Sequence, residues 1–451
     1  MHSAKLTIAR ILSVLLIALG FFNTALAQEN SPYSRYGLGD LTPNHNMFTR
    51  GMGGISAATN DNRSINFTNP ASLSNLALTL FDLGGEIDIR TLKSSNPVGK
   101  FNSVNTYFSY LQVGFPLTTQ KMASKGMGWG MSFGIRPVTK INYKIEKNER
   151  LTNIDSLNTL YEGNGGTNQA FIGTGFKIKN FSIGINAGYM FGSKDYSTKL
   201  TFINDTTFYY LSNSETKTTF GGLFFNAGMQ YDIPLAHDSK NPKVVTKSLR
   251  LGLYGNLQQN LRANKDIIRE TIYYDPNGGY FRVDSVFEDK DIKGKIRYPA
   301  SFGFGVNYQE KHWMFGADLE VSNWSSYRYY NETDAVKNNW TLRVGAQYDP
   351  SDFNKPTKKY FNFVSYRAGF YYGPDYITIN KNRPEYGFTL GAGFPLTSLK
   401  RISYPYQFVM LNTGLEIGNR GNRQTNVREN LVRINIGISM SARWFEKRKY
   451  Y

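Results

Sequence analysis

Three carboxylates, Asp82, Glu86 and Asp88, sit at even-numbered positions in a segment whose odd-numbered positions are Phe81, Leu83, Gly85, Ile87 and Ile89. Side chains alternate faces along a strand, so this segment has a charged side and an oily side. A row of carboxylates could serve general acid–base chemistry, but catalysis also needs a nucleophile beside its base, and no such pair is apparent. The same face carries Arg90, and later segments carry Arg136 and Arg433 on equivalent faces. We read the carboxylates as partners of these arginines, holding an internal element in place. The histidines, His2, His45, His237 and His312, are scattered, with no His-x-x-x-His or Glu-x-x-His spacing. Cysteine is absent, which removes disulfides and thiolate ligands. No Gly-x-Ser-x-Gly elbow and no phosphate-cradling loop occurs. The expectation is therefore no catalytic residue, no metal and no cofactor.

The elements that position these residues repeat one pattern. Met127, Trp129, Met131, Phe133 and Ile135 alternate with Gly128, Gly130, Ser132, Gly134 and Arg136. Val432, Ile434, Ile436, Ile438 and Met440 alternate with Arg433, Asn435, Gly437, Ser439 and Ser441. Similar runs lie at Phe181–Tyr189, Phe302–Tyr308 and Tyr386–Phe394. One face is bulky and the other small or polar. A sandwich core would want bulk facing inward, whereas a lipid-facing barrel with a filled or roomy lumen wants this arrangement. About fourteen such segments begin near residues 78, 104, 126, 168, 180, 215, 247, 297, 312, 338, 362, 383, 405 and 429, each taken as about 9 to 11 residues long. The fold class is all-β, a transmembrane antiparallel β-barrel. An even strand number puts both barrel ends on the periplasmic side, with short turns there and the longest connections (about 147–167, 195–214 and 264–296) outside.

Composition agrees. The chain has 451 residues with Gly 43, Tyr 31 and Phe 31, yet only 40% hydrophobic residues and a mean hydropathy of −0.42. An oily exterior around a polar lumen averages to such values, and interfacial belts enrich aromatics. Residues 1–27 read as a secretory signal peptide: Lys5 and Arg10, the apolar run Ile11–Phe22, then Ala25-Leu26-Ala27. Losing Lys5 and Arg10 lowers the formal charge from +18 to +16. An exported chain has little occasion to meet nucleic acid. The basic excess suits lipopolysaccharide or other outer-membrane lipid phosphates, or simply solvates loops and tail. The C-terminal Trp444-Phe445, ending the last strand, is similar to the signal read by the barrel-assembly machinery during insertion. The expected location is the outer membrane of a didermal bacterium.

Between leader and barrel lies Arg50–Leu73, RGMGGISAATNDNRSINFTNPASL, too polar and glycine-rich for a strand and too broken for a stable helix. Its glycines Gly51, Gly53 and Gly54, and the triplet Asn69-Pro70-Ala71 just before the first strand, resemble the N-terminal plug of the FadL family of outer-membrane transporters for hydrophobic compounds. The count of fourteen strands is a second point of resemblance. The resemblance implies a plug over 28–77 and a barrel over 78–451, with Asn69, Pro70 and Ala71 as the gate. It also implies passive uptake of a hydrophobic ligand such as a long-chain fatty acid, held in an apolar pocket above the plug. Members of the family release ligand sideways at a kinked third strand, and Pro137 is the candidate for that break. The reading favoured here is that the strand has already crossed the membrane and Pro137 ends it. The rival function is a non-transporting barrel subunit of an outer-membrane secretion or protein-assembly complex, as in the PorV-like branch. Aromatic, charged stretches such as 267–285 and 325–333 would then be docking surfaces.

Overall fold

In the computed structural model, residues 31–442 are described except 96–97, 151–155, 204–207, 240, 242–243, 276–278, 351–358, 380, 398–407, 423 and 426. The predicted leader and the Trp444–Tyr451 tail lie outside the described residues. The long strands are β1 (Thr79–Ser95), β2 (Val98–Pro116), β3 (Met127–Arg150), β4 (Ser156–Ile178), β5 (Phe181–Ile203), β6 (Leu211–His237), β7 (Val245–Asn256), β8 (Gln259–Asp275) and β9 (Gly279–Tyr298). They continue with β10 (Ser301–Glu310), β11 (Trp313–Ser322), β12 (Asn339–Tyr348), β13 (Ser365–Pro374), β14 (Pro384–Pro395), β15 (Val409–Arg420) and β16 (Val427–Ala442). Neighbours in the chain pair antiparallel except at β7–β8 and β9–β10, and β16 closes on β1. The closed ring has fourteen strands, β1–β7 and β10–β16, because β7 pairs directly with β10. The hairpin β8–β9 stands outside the ring, laid against the outer half of β6.

Alternation sets the two faces. Apolar side chains such as Ile172, Leu223, Phe388, Leu390 and Ile417 are exposed on the outside, where a bilayer would cover them. Trp313, stacked on Phe315 and beside Tyr348, marks one interface; Trp340 against Tyr372 marks the other.

Two expectations need correction. Strands β1 to β6 are far longer than a membrane crossing, at 17 to 27 residues. The stretches expected as external loops at 147–167, 195–214 and 264–296 are largely strand, carried beyond the membrane as paired ribbons. Backbone pairing extends there without any oily face to announce it. Pro137 does not end its strand either: β3 continues to Arg150, taking up the missing donor in an irregularity between Pro137 and Thr139.

Residues 31–76 run inside the ring. Residues 31–42 cross its external mouth, where Tyr33 and Leu38 join Trp324, Tyr327, Tyr376 and Ile377 in the largest buried apolar cluster. The chain then descends through a short helix α1 (Met47–Arg50) and turns to a 3-10 helix, Pro70–Asn75, before entering β1. Inward-facing glycines make the room for it. A Cβ at Gly130 would lie 2.1 Å from the Leu73 carbonyl oxygen, at Gly228 2.0 Å from Asn69 Oδ1, and at Gly252 2.0 Å from the Ala57 carbonyl oxygen. At Gly369 it would meet Gly53 N at 2.2 Å, and at Gly391 the Cα of Gly51 at 2.7 Å. The small inner residues of the period-two pattern are thus filled from within, by backbone.

Candidate functional site: the internal segment and the β2–β3 seam

Asn69 is the residue of the predicted triplet with the most bonds. Its Oδ1 accepts from Ala71 N–H at 3.1 Å and caps the 3-10 helix, with Pro70 at the first position where no donor is needed. Its Nδ2 donates to the carbonyls of Ala57, Met229 and Leu253, tying the segment to itself and to β6 and β7. Ala71 is fully buried. Of the predicted glycines, Gly53 donates its N–H to Thr389 Oγ1 at 2.8 Å, while Gly51 and Gly54 lie against Gly391 and the His45 ring. The triplet and the glycines therefore meet different walls of the barrel, and Gly53 and Gly54 also line the lumenal cavity.

Charge fixes the segment further. Arg50 of α1 pairs with Glu86, which also receives Lys140 at 3.2 Å. Asp40 pairs with Arg90 at 2.6 Å and with Arg420 at 3.3 Å. Burial alone would raise the Asp40 carboxyl, but Arg90 and Arg420 hold it below the usual carboxylate range. Asp318 accepts the backbone N–H groups of Ser56 and Ala57. Asp88 pairs with Arg90 and lies 3.8 Å from Arg433, whereas Asp82 receives Tyr110, Gln112 and Ser439 and meets no arginine. The carboxylate row is thus spent on structure. The sequence could not show that Arg50, inside the segment itself, takes Glu86. Among the described residues no group of His, Asp and Glu is arranged to hold a metal.

The wall has a short seam between β2 and β3. Strands β2 and β3 pair only from Leu111↔Ile135 to Pro116↔Gly130, although β2 goes on to pair with β1 and β3 with β4. Beyond Ile135, the edge of β3 is paired instead by the two-residue strand Asp40–Leu41, in register with Lys140 and Thr139. Ser31 and Thr42 add N–H bonds to the Asn142 and Val138 carbonyls. Pro137 accepts the Thr42 hydroxyl proton at 2.9 Å, so it lies at this seam. On the outside, at the foot of the seam, Leu111, Val113, Phe133, Gly134 and Ile172 line an apolar cleft of about 600 Å³.

Within the lumen the cavity on the external side of the segment measures about 200 Å³ and is mixed: Arg50, Arg136, Arg343, Arg420 and Arg433 line it with Glu320, Asp375, Glu385 and Glu416, beside Leu41, Val138, Phe224, Tyr298 and Trp324. The pocket expected above the segment thus combines apolar and aromatic walls with ion pairs. His45, also in this lining, donates or accepts at Nδ1 with Ser56 Oγ, 3.0 Å away. Burial, then the cationic Arg343, Arg50 and Arg136, holds its imidazole well below the ordinary value of 6.5, so it is neutral.

A family model described as BamG matches residues 7–451 of the chain. The solved structure of a FadL homologue from Pseudomonas aeruginosa is similar with a TM-score of 0.54 and 16% identity, over 90% of this chain and 98% of that one. The Pseudomonas putida toluene transporter TodX gives 0.54 and 14%, over 90% and 100%. The Ralstonia pickettii toluene transporter TbuX gives 0.52 and 13%, over 89% and 99%. No curated protein matches the sequence.

Proposed function

The chain belongs to the BamG family and is a FadL-type barrel, and from that premise we propose that it is a non-transporting barrel subunit of an outer-membrane protein-assembly complex. The family's name points to the barrel-assembly machinery as the complex. The observation that carries the reading is the filled lumen. Asn69, Asp40, Arg50 and wall-side glycines tie the segment to the wall, and the residual cavity is small and carries ion pairs beside its apolar lining, which supports a plug that stays in place. Moving it would strand buried charges, at several kcal/mol each. The paired ribbons β3–β4, β5–β6 and β8–β9 give such a subunit a large surface outside the bilayer. Gentle detergent extraction from native membranes tests the reading. Stoichiometric co-purification with the central barrel of the assembly machinery is expected, and a lone barrel carrying a hydrophobic compound would reject it.

A second reading, uptake of hydrophobic compounds such as long-chain fatty acids, is favoured by one observation: the short β2–β3 seam beside an apolar cleft. TodX and TbuX are toluene transporters by name, and on this reading Pro137 marks the lateral exit, with Asn69, Pro70 and Ala71 as gate. A disulfide between Leu41→Cys and Thr139→Cys, which are direct cross-strand partners, locks the seam. Uptake would stop and complex formation would not. Transport that survives both this lock and Pro137→Val removes the seam as the exit, and absence of uptake in the unaltered protein removes the second reading.

A further inference from the structure

Arg136 is a buried guanidinium with no carboxylate partner among the described residues. It is 8% exposed and lines the lumenal cavity. Nε and Nη2 both donate to Gln169 Oε1, and Nη1 donates to Asn44 Oδ1. A guanidinium has five N–H donors, so about two remain without an acceptor. The other arginines in the lining are neutralised: Arg50 by Glu86, Arg343 by Glu320, Arg420 by Asp40 and Glu385, Arg433 by Glu416. Among these lining arginines Arg136 makes no ion pair among the described residues; Glu320 attracts it only at longer range, and its guanidinium lies over the Phe67 ring, 5.0 Å from the centroid.

Other polar atoms in the same lining are also unanswered. Asn226 Oδ1, Asn339 Oδ1 and His45 Nε2 are buried without a hydrogen-bond partner. Asn226 uses its amide nitrogen on the Thr68 carbonyl, which leaves its oxygen as a free acceptor. Water can answer such acceptors, but neutral water does not neutralise a buried charge. A volume of about 200 Å³ holds about six or seven waters, or one compact organic or inorganic ion.

We infer that this cavity is a binding site for a small oxyanion, of carboxylate or phosphate type, that also carries a hydroxyl or amino donor. Its charged oxygens take the open N–H groups of Arg136, and its donor takes the amide oxygen of Asn226 or Asn339. Asn44 and His45 belong to the internal segment and Arg136 and Asn226 to the wall, so the ion bridges the two. The site goes beyond the assembly role and does not depend on it.

The test uses the full-length protein in detergent at constant ionic strength, titrated with inorganic phosphate, with glycolate, with sulfate as an oxyanion lacking a donor, and with chloride. A saturable rise in melting temperature is expected with phosphate or glycolate, a weaker one with sulfate, and none with chloride. Whichever of the two binds more tightly assigns the source as phosphate or carboxylate. Arg136→Gln should weaken binding at least about tenfold, and Arg136→Lys should retain part of it. Equal, unsaturable shifts with all four salts, or full binding in Arg136→Gln, overturns the proposal. Should Arg136→Gln fail to fold, crystals of the unaltered protein soaked in selenate decide: anomalous density within reach of Arg136 supports the site, and an adventitious ion on surface lysines only, with water in the cavity, rejects it.

Discussion

Two seams in the wall are built differently. Where β16 meets β1, pairing is unbroken from Val427↔Ser94 to Ala442↔Thr79. Where β2 meets β3, only the stretch from Leu111↔Ile135 to Pro116↔Gly130 is paired. The first seam joins the two ends of the barrel chain, and the second joins strands separated by one short connection. Nearness in sequence therefore does not make the stronger join. The β16–β1 seam uses regular alternation on both partners. At the β2–β3 seam, Pro137 and its bulge redirect β3, and residues 31–42 take over the edge that β2 leaves.

If residues 31–42, the arm, are what completes the weak seam, releasing them should affect that seam and spare the other. The largest effect is expected from Asp40→Ala, which removes the carboxylate shared by Arg90 and Arg420. Breaking a buried pair from one side costs about 3–5 kcal/mol. Hydrogen exchange at the Ser31 and Thr42 amides, which bond to the Asn142 and Val138 carbonyls, should accelerate at least about a hundredfold. Amides across β16–β1 should keep their protection, and equal acceleration at both seams would mean that the barrel opens as one unit. Gly39→Ala comes next. Gly39 has φ +100°, and a Cβ there would lie 2.4 Å from the Lys140 carbonyl oxygen. Strain of about 1–3 kcal/mol should appear as faster proteolysis within residues 31–44, with the barrel core intact.

The strand count and the inward or outward sense of each strand were legible, because a wall between lipid and a packed lumen imposes period two on residue size and polarity. Ile434 and Ile436 are exposed where Arg433 and Asn435 are buried, as the alternation requires. Strand length was not legible. In Lys144–Arg150 every residue but Ile145 is polar and none is buried, so the pattern vanishes while pairing with Ser156–Glu162 continues. Partner choice was hidden too. Asp82, Glu86 and Asp88 look equivalent in the sequence, yet one meets Arg50, one meets Arg90, and one meets only neutral donors. Arg136, expected to pair with such a carboxylate, does not. Those outcomes depend on where an irregular segment lies inside the ring, and no periodicity encodes that.

Asn69→Ala tests whether the segment has its own stability, apart from either seam. It removes the donor to Ala57, Met229 and Leu253 and the cap on Ala71. A loss of about 1–3 kcal/mol is expected, read as a lower melting temperature with exchange at Thr42 unchanged. Faster exchange at Thr42 would show that the arm and the deeper segment move together.

The smallest effect concerns His45, which sits between the arm and α1. Its folded pKa is depressed by burial and by Arg343, Arg50 and Arg136. The released segment takes up a proton near 6.5 while the docked one does not, so docking is strongest above that pH and weakens as pH falls through it. Between pH 7 and pH 6 the loss is about 0.7 kcal/mol for one such group. Exchange at Thr42 should therefore quicken about threefold over that interval in the unaltered protein and stay level in His45→Gln. If the threefold change persists in His45→Gln, another group sets the pH response. If it appears at deeper amides such as Ala71 but not at Thr42, the arm is held by Asp40 alone, and the weak seam is independent of the segment beneath it.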